Sequence, residues 1–209
     1  MRHLRRLYYD GFSRCYDRFV ALHSRDKQEL ARKFLVDQVP VRAGGSVLDL
    51  CTGTATLLQY LAAKVGPHGQ VVGVDFSHGM LKIAQQKTRS LARVFLVQAD
   101  AGRLPFAAGA FDAVTCSHAF YELKGETQGQ ALQEIVRIMK PNGVFLMMEH
   151  DVPVSPFVRA LFYLRLTLIG AGRAIDFLRQ EREVLERYFA SVEKIVAPAG
   201  RSKVMICRK

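Results

Sequence analysis

Little in this 209-residue chain offers covalent or metal reinforcement. Its four cysteines, Cys15, Cys51, Cys116 and Cys207, stand too far apart to form a C-x-x-C pair, so a zinc knuckle or a dithiol redox motif is unsupported. No apolar segment with a small-residue cleavage site opens the chain, since Arg2, Arg5 and Arg6 crowd its start. The expectation is reduced thiols and a cytoplasmic protein. The longest apolar stretch, Val152 to Gly172, is interrupted by Arg159 and Arg165. A membrane span needs about 18 residues almost free of charge, so this stretch is not one. Internal repeats and low-complexity tracts are missing as well. With 49% hydrophobic and 23% charged residues the composition is that of a globular protein, which excludes a disordered chain, a collagen-like chain and a coiled coil. At about 150 residues per domain the length predicts one domain. A domain of this size buries roughly 70% of its unfolded surface and can hold a core without disulfides or metals.

Acidic side chains are also scarce, 19 against 30 basic ones, for a formal charge of +11. The excess is uneven: +5 over residues 1–45, +1 over 46–150 and +5 over 151–209. Basic flanks around a neutral centre suit an anionic partner, such as acidic lipid, nucleic acid or an anionic substrate, or form a solvated surface that aids solubility. No RNA-module signature with interleaved aromatics is present, which weighs against nucleic acid.

Residues 3–39 carry apolar side chains at helical spacing (Leu4, Leu7, Phe12, Phe19, Leu22, Leu30, Phe34, Leu35), predicting one or two helices that end before Pro40 and Gly44-Gly45. Strands and helices then alternate. Short apolar runs at Ser46–Leu50, Val71–Val74, Val94–Val97, Phe111–Ser117 and Val144–Met148 predict five strands. Helices are expected over Ala55–Val65, after a Ser77 cap, and over Thr127–Lys140, the last stopping at Pro141-Asn142-Gly143. Nearly continuous apolar strands separated by helices predict a mainly parallel sheet covered on both faces. In such sheets ligands bind beyond the carboxyl ends of the strands, at the topological switch point.

The residues at those ends are therefore informative. Asp49-Leu50-Cys51-Thr52-Gly53-Thr54-Ala55 follows the first strand, Asp75 the second, Asp100-Ala101 the third, and Ser117 and His118 the fourth, with Tyr121 one turn on. Asp75 lies 26 residues beyond Asp49 and is placed to accept the hydroxyls of an adenosine ribose, or to sit as an ordinary acid at a helix N-terminus. Asp49, Asp75 and Asp100, expected in register along one rim, favour an adenosine-type ligand with a positive group. A nicotinamide dinucleotide is disfavoured, because the turn lacks the G-x-G-x-x-G that lets pyrophosphate approach the backbone: Cys51 and Ala55 flank a single Gly53.

These segments resemble a known family. V-L-D-L-C-T-G-T-A resembles motif I of the class I S-adenosylmethionine-dependent methyltransferases. V-V-G-V-D-F-S-H-G-M-L resembles their second motif, and Q-A-D-A-G-R-L-P-F followed by F-D-A-V-T-C-S-H-A-F the third and fourth. E-I-V-R-I-M-K-P-N-G-V resembles the helix and turn before strand five, and the order and spacing resemble the ubiquinone/menaquinone C-methyltransferase-like branch. The resemblance covers roughly Tyr9 to Pro153, departing at Ala55, where the family has glycine, and at K-P-N-G for K-P-G-G.

The resemblance implies an α/β fold: a doubly wound, mainly parallel seven-stranded sheet, Rossmann-like, with an N-terminal helical cap. Val192–Ala197 and Lys203–Cys207 would form its last strands, one of them antiparallel. It implies one methyltransferase domain over 1–209, with a cap at 1–43, a cofactor-binding core at 44–150 and a substrate-side helix and final strands at 151–209. S-adenosyl-L-methionine would be the cofactor. Asp49, Cys51, Gly53 and Thr54 would line its methionine end; Asp75 would hold the ribose, with Phe76 and Met80 beside the adenine. Asp100 and the Ala101 amide would meet the adenine, and Ser117 and His118 would border the sulfonium. Tyr9-Asp10 and Tyr16-Asp17 resemble the branch's tyrosine-containing opening helix, with Tyr16 covering the cofactor.

Methyl transfer is an in-line displacement that demands positioning and dryness and no metal. A base is needed only if the acceptor must lose a proton; His118, Tyr121 and His150 stand at strand ends as candidates. Ser155 to Arg173 is the stretch expected to meet substrate. It reads either as a lid packed on the core or as a basic amphipathic helix at an anionic membrane, which would bring the protein to the inner membrane surface. The acceptor is accordingly a small or lipid-like molecule, such as a quinone-type ring. The alternatives are a phospholipid amine or a cofactor-binding protein of this fold without catalysis; the acceptor atom (C, N or O) and any oligomer stay open.

Overall fold

A computed structural model describes residues 10, 13, 27–123, 125–152, 155–168, 172–198 and 202–209. The described chain runs α1 (Lys27–Gln38), β1 (Ser46–Leu50), α2 (Thr56–Val65), β2 (Gln70–Asp75), α3 (His78–Thr88), β3 (Val94–Gln98), β4 (Phe111–Ser117), a 3-10 turn (Phe120–Glu122), α4 (Glu126–Ile138), β5 (Met139–His150), α5 (Pro156–Leu168), α6 (Gly172–Glu186), β6 (Ser191–Val196) and β7 (Ser202–Arg208). The seven strands form one sheet in the order β3-β2-β1-β4-β5-β7-β6. Strands β1 to β5 pair in parallel, and β7 is antiparallel to both β5 and β6. The strand order reverses between β1 and β4, which opens a crevice beyond their carboxyl ends.

Each face of the sheet is buried by helices whose apolar residues recur at helical spacing. Leu57, Leu58, Leu61 and Val65 of α2 pack with Leu35 of α1 and with Val47, Leu146 and Val204 on one face. On the other, Ala131, Leu132, Ile135 and Ile138 of α4 meet Phe145, Phe177 and Phe189. Two polar links fix the helices. Lys64 Nζ donates to the carbonyls of Val36 (2.6 Å) and Asp37 (3.0 Å), satisfying the C-terminal end of α1. Arg137 donates to the carbonyls of Leu104 (3.0 Å) and Phe106 (2.7 Å), tying the loop after β3 to α4.

The strand and helix expectations hold with three adjustments. Helix α4 ends at Ile138 rather than Lys140, because the residue before Pro141 is pushed out of helical conformation, and Met139 is already extended (φ −71°, ψ 140°). Residues 139–143 then belong to β5: Met139 pairs with Phe111, and the register slips so that Val144 pairs with Ala113. The Lys140-Pro141-Asn142-Gly143 segment is thus a bulge inside a long strand, held where Lys140 Nζ meets Asp112 at 2.8 Å. Finally, Ser155 to Arg173 is more than one helix. It holds α5 and the first two residues of α6, a 15-residue helix that the sequence reading did not separate because its charged residues outnumber its apolar ones. Of the expected N-terminal helices, α1 is seen; Tyr9, Tyr16 and Asp17 lie outside the described residues.

Beneath α6, Lys203 of β7 forms an ion pair with Glu181, both side chains nearly inaccessible to water (3% and 7%). Lys203→Met strands a buried carboxylate and is expected to cost about 3–5 kcal/mol. Lys203→Met with Glu181→Leu removes both charges and should recover most of that loss, as urea denaturation of the two variants would measure.

Candidate functional site

The crevice at the β1/β4 switch holds a cavity of about 200 Å³. Asp49, Cys51, Gly53, Thr54, Asp75, Phe76, Met80, Asp100, Ala101, Ser117 and His118 all line it. The three acids are staggered rather than in register. Asp49 stands beside Gly73 on β2, two residues before Asp75, and Asp75 stands beside Gln98, two residues before Asp100. Side chains alternate between faces of a strand, so steps of two keep Asp49 and Asp75 on the same side.

The turn after β1 is wound by alternate left-handed residues: Cys51 (φ 56°), Gly53 (φ 57°) and Ala55 (φ 64°). Glycine takes this conformation freely; Cys51 and Ala55 cost about 1–2 kcal/mol each. The turn is held from outside by Asp75. Its Oδ2 accepts from the Gly53 amide (2.9 Å) and its Oδ1 from the Ser77 amide (2.9 Å). Ser77 caps α3 by accepting from the Met80 amide (3.2 Å). Asp10 reaches the same helix end. Asp10 Oδ1 accepts from Ser77 Oγ (2.7 Å) and the Gly79 amide (2.8 Å), and a Cβ on Gly79 would lie 2.8 Å from Asp10 Cα. Only glycine admits that approach.

The electrostatics divide the cavity. Burial raises Asp49 to about 6, partly opposed by the Thr115 hydroxyl, which donates to its Oδ1 at 2.8 Å from the neighbouring position on β4. Burial raises Asp75 as well, against the amides that donate to it. Opposite them, burial and the neighbouring His150 lower His118 to about 3, so its ring is neutral at pH 7. His118 is itself left-handed (φ 51°) and stacks on His150 with centroids 4.6 Å apart. His150 and Tyr121 are set back from the cavity wall; their rings are 6.1 Å apart, behind His118. Two buried acids on one side suit a ligand with cationic groups, and a neutral aromatic side suits an uncharged one.

Residues 6–174 match the ubiE/COQ5 methyltransferase family. The chain is 30% identical over 181 residues to a demethylmenaquinone methyltransferase of Staphylococcus haemolyticus, covering 86% of this chain and 75% of that one. A demethylmenaquinone methyltransferase of Staphylococcus epidermidis is 32% identical, over 86% and 74%.

The chain belongs to the ubiE/COQ5 methyltransferase family.

It is a methyltransferase dependent on S-adenosylmethionine. Solved structures agree on the fold. A SAM-dependent methyltransferase from Aquifex aeolicus aligns with TM-score 0.62 at 18% identity, over 84% of this chain and 88% of that one. The Haloferax volcanii protein bound to the Trm112 methyltransferase activator aligns with TM-score 0.72 at 18% identity, over 96% of each. The cavity of this methyltransferase fits the cofactor: buried Asp49 would face its cationic methionine end and Asp75 its ribose hydroxyls, and its left-handed turn presents backbone rather than side chain at Gly53, where a Cβ would meet nothing within 4 Å.

The sequence reading missed two participants. Arg32 of α1 lines the cavity, but it was one of ten basic residues in the N-terminal flank and no local pattern singled it out. Glu149, near the end of β5, is fully buried and its Oε1 accepts from the amides of Phe120 (3.0 Å) and Tyr121 (3.4 Å), fixing the turn that follows His118. An acid at the end of an apolar strand was the available signal. Glu149→Ala leaves the buried Phe120 amide and the half-buried Tyr121 amide without an acceptor and is expected to cost about 1–3 kcal/mol. Burial holds the Glu149 carboxyl well above its usual range. Its folded form therefore favours the proton, and wild-type stability falls as pH rises from the unfolded value towards the folded one. Glu149→Gln should keep the fold and flatten that slope in denaturation measured across pH.

Proposed function

We propose that this methyltransferase acts on a quinone-type ring carrying a lipid-like tail, of the demethylmenaquinone kind. The single observation that carries the reading is the neutral ring of His118, packed against His150, facing two buried acids across one cavity. The names of the relatives support the same acceptor class. S-adenosylmethionine supplies an electrophilic methyl group when bound. Asp75, already oriented by the Gly53 and Ser77 amides, holds the ribose hydroxyls on its remaining lone pairs. Phe76 and Met80 border the adenine, and Asp100 and the Ala101 amide meet its edge. Asp49, Cys51, Gly53 and Thr54 surround the methionine end; Ser117 and His118 stand on the acceptor side. Tyr16 would cover the cofactor, as the resemblance implies, and help exclude water. The division into a cap at 1–43, a core at 44–150 and a substrate side at 151–209 follows from these roles.

A neutral His118 with so low a proton affinity is a poor general base. With Nε2 beside Ser202 Oγ at 3.4 Å and Nδ1 buried, its work is to shape the acceptor side and orient the acceptor against the methyl group. Contact with an anionic membrane fits the acceptor. No helix among the described residues is long and apolar enough to cross a bilayer. Helix α5 nevertheless exposes Phe157 (74%), Leu161 (51%) and Leu164 (55%), which share one helical face. An apolar stripe on a chain of net charge +11 suits an anionic lipid surface.

Incubation with methyl-labelled cofactor and membrane lipids carrying demethylated quinol should place label on the ring. Label in phospholipid headgroups, or cofactor binding without turnover on any acceptor, would overturn the assignment. Asp75→Ala is expected to weaken cofactor binding by about 1–3 kcal/mol in calorimetry. Asp49 gives a pH signature. A cationic ligand favours its ionised form, so affinity should fall as pH drops through about 6, with proton release on binding near that pH. Asp49→Asn should abolish both effects, read by calorimetry in buffers of different ionisation enthalpy.

A further inference from the structure

A second cavity lies between α5, α6 and the β6–β7 hairpin, lined by residues that the cofactor cavity does not use. Its cations exceed its anions. Lys203 is held by Glu181, and Lys194 Nζ is held by Asp151 at 2.7 Å. Arg159 and Arg179 also line it, and no described carboxylate forms an ion pair with either. Arg179 is not loose. Its guanidinium lies over the Tyr163 ring (4.7 Å to the centroid) and its Nε donates to the Tyr163 hydroxyl at 3.3 Å. With Nε engaged, the two terminal nitrogens are left as a flat, oriented fork, the geometry that takes two oxygens of one tetrahedral anion. Arg159 precedes Tyr163 by one turn on α5, so both side chains leave the helix on the same side.

The cavity makes a second demand. Glu181 Oε2 is buried and has no hydrogen-bond partner, although Oε1 is held by Lys203. An occupant that satisfies both features brings anionic oxygens to the arginines and a hydroxyl donor to the glutamate.

We propose that this cavity is a binding site for a hydroxyl-bearing phosphate ester, its phosphate seated between Arg159 and Arg179 and its hydroxyl donating to Glu181 Oε2. A free polyol phosphate and the headgroup of a glycerol-bearing phospholipid share that chemistry. The inference does not rest on the choice of methyl acceptor, since the two cavities are separate.

The test titrates the full chain with glycerol phosphate and with inorganic phosphate, and separately sediments it with vesicles of phosphatidylcholine alone or mixed with phosphatidylglycerol. Glycerol phosphate should bind saturably and more tightly than inorganic phosphate. Arg159→Ala and Arg179→Ala should each weaken it at least tenfold, as expected for loss of a charged hydrogen bond, and Arg179→Lys should restore little. S-adenosylmethionine affinity should be unchanged in every variant, which reports an intact fold. Phosphatidylglycerol-dependent sedimentation lost in the arginine variants identifies the lipid headgroup as the source. Glycerol phosphate binding without such sedimentation identifies the free ester. Failure of both ligands to bind, or binding indifferent to the two arginines, overturns the site.

Discussion

One buried carboxylate organises the ligand side of this protein. Asp75 ends β2, and its two oxygens receive amides from different elements, Gly53 in the turn after β1 and Ser77 at the start of α3. Burying a carboxylate is costly unless hydrogen bonds replace the lost water. Here the replacement donors belong to the loops that must be positioned, so the cost of burial and the shaping of the cavity have the same cause. The α3 terminus so fixed is also where Asp10 docks. Freed of Asp75, the turn around Gly53 and the docking face of α3 would lose their common anchor.

The turn needs such an anchor because two of its three left-handed residues carry side chains. Cys51 and Ala55 stand in conformations that glycine would take without strain. Strained backbone persists only where surrounding structure overdetermines it. On one side Ala55 is fully buried against the core of α2; on the other Gly53 is tied to Asp75. The turn therefore holds its left-handed conformation at Ala55 without the family's glycine there.

Most of the fold was legible because its strands are apolar throughout and its helices amphipathic, signals that survive without tertiary context. The left-handed turn could be placed from Gly53 alone, and Ser77 as a cap followed from its position before an apolar helical run. What escaped the sequence depends on pairing across space. The bulge at 139–143 looks like a helix stop followed by a turn until Met139 is seen beside Phe111. Helix α6 has few apolar residues; Phe177, Leu178 and Leu185 are buried, and the Gly170-Ala171-Gly172 break before it was passed over because the stretch was read for its apolar content. The stagger of the acids could not be read either, because strand register is set by neighbours rather than by the residue count from one strand to the next. Glu149 and Arg32 reach the site from elements whose patterns advertise only burial or general basicity.

The same stagger explains why the cavity has two characters. Asp49 and Asp75 project from neighbouring strands to one side of the switch point, while His118 leaves β4 on the other by a left-handed step that turns its ring onto His150. Burial acts on both sides but with opposite consequences. It raises the carboxyls and lowers the imidazole, because in each case the charged form is the one that loses water. A cationic ligand reverses the penalty on Asp49 and leaves the histidine uncharged. The arrangement thus favours a positive group on the β1–β2 side while leaving His118 neutral on the β4 side, with Glu122 of the following turn also on the cavity wall.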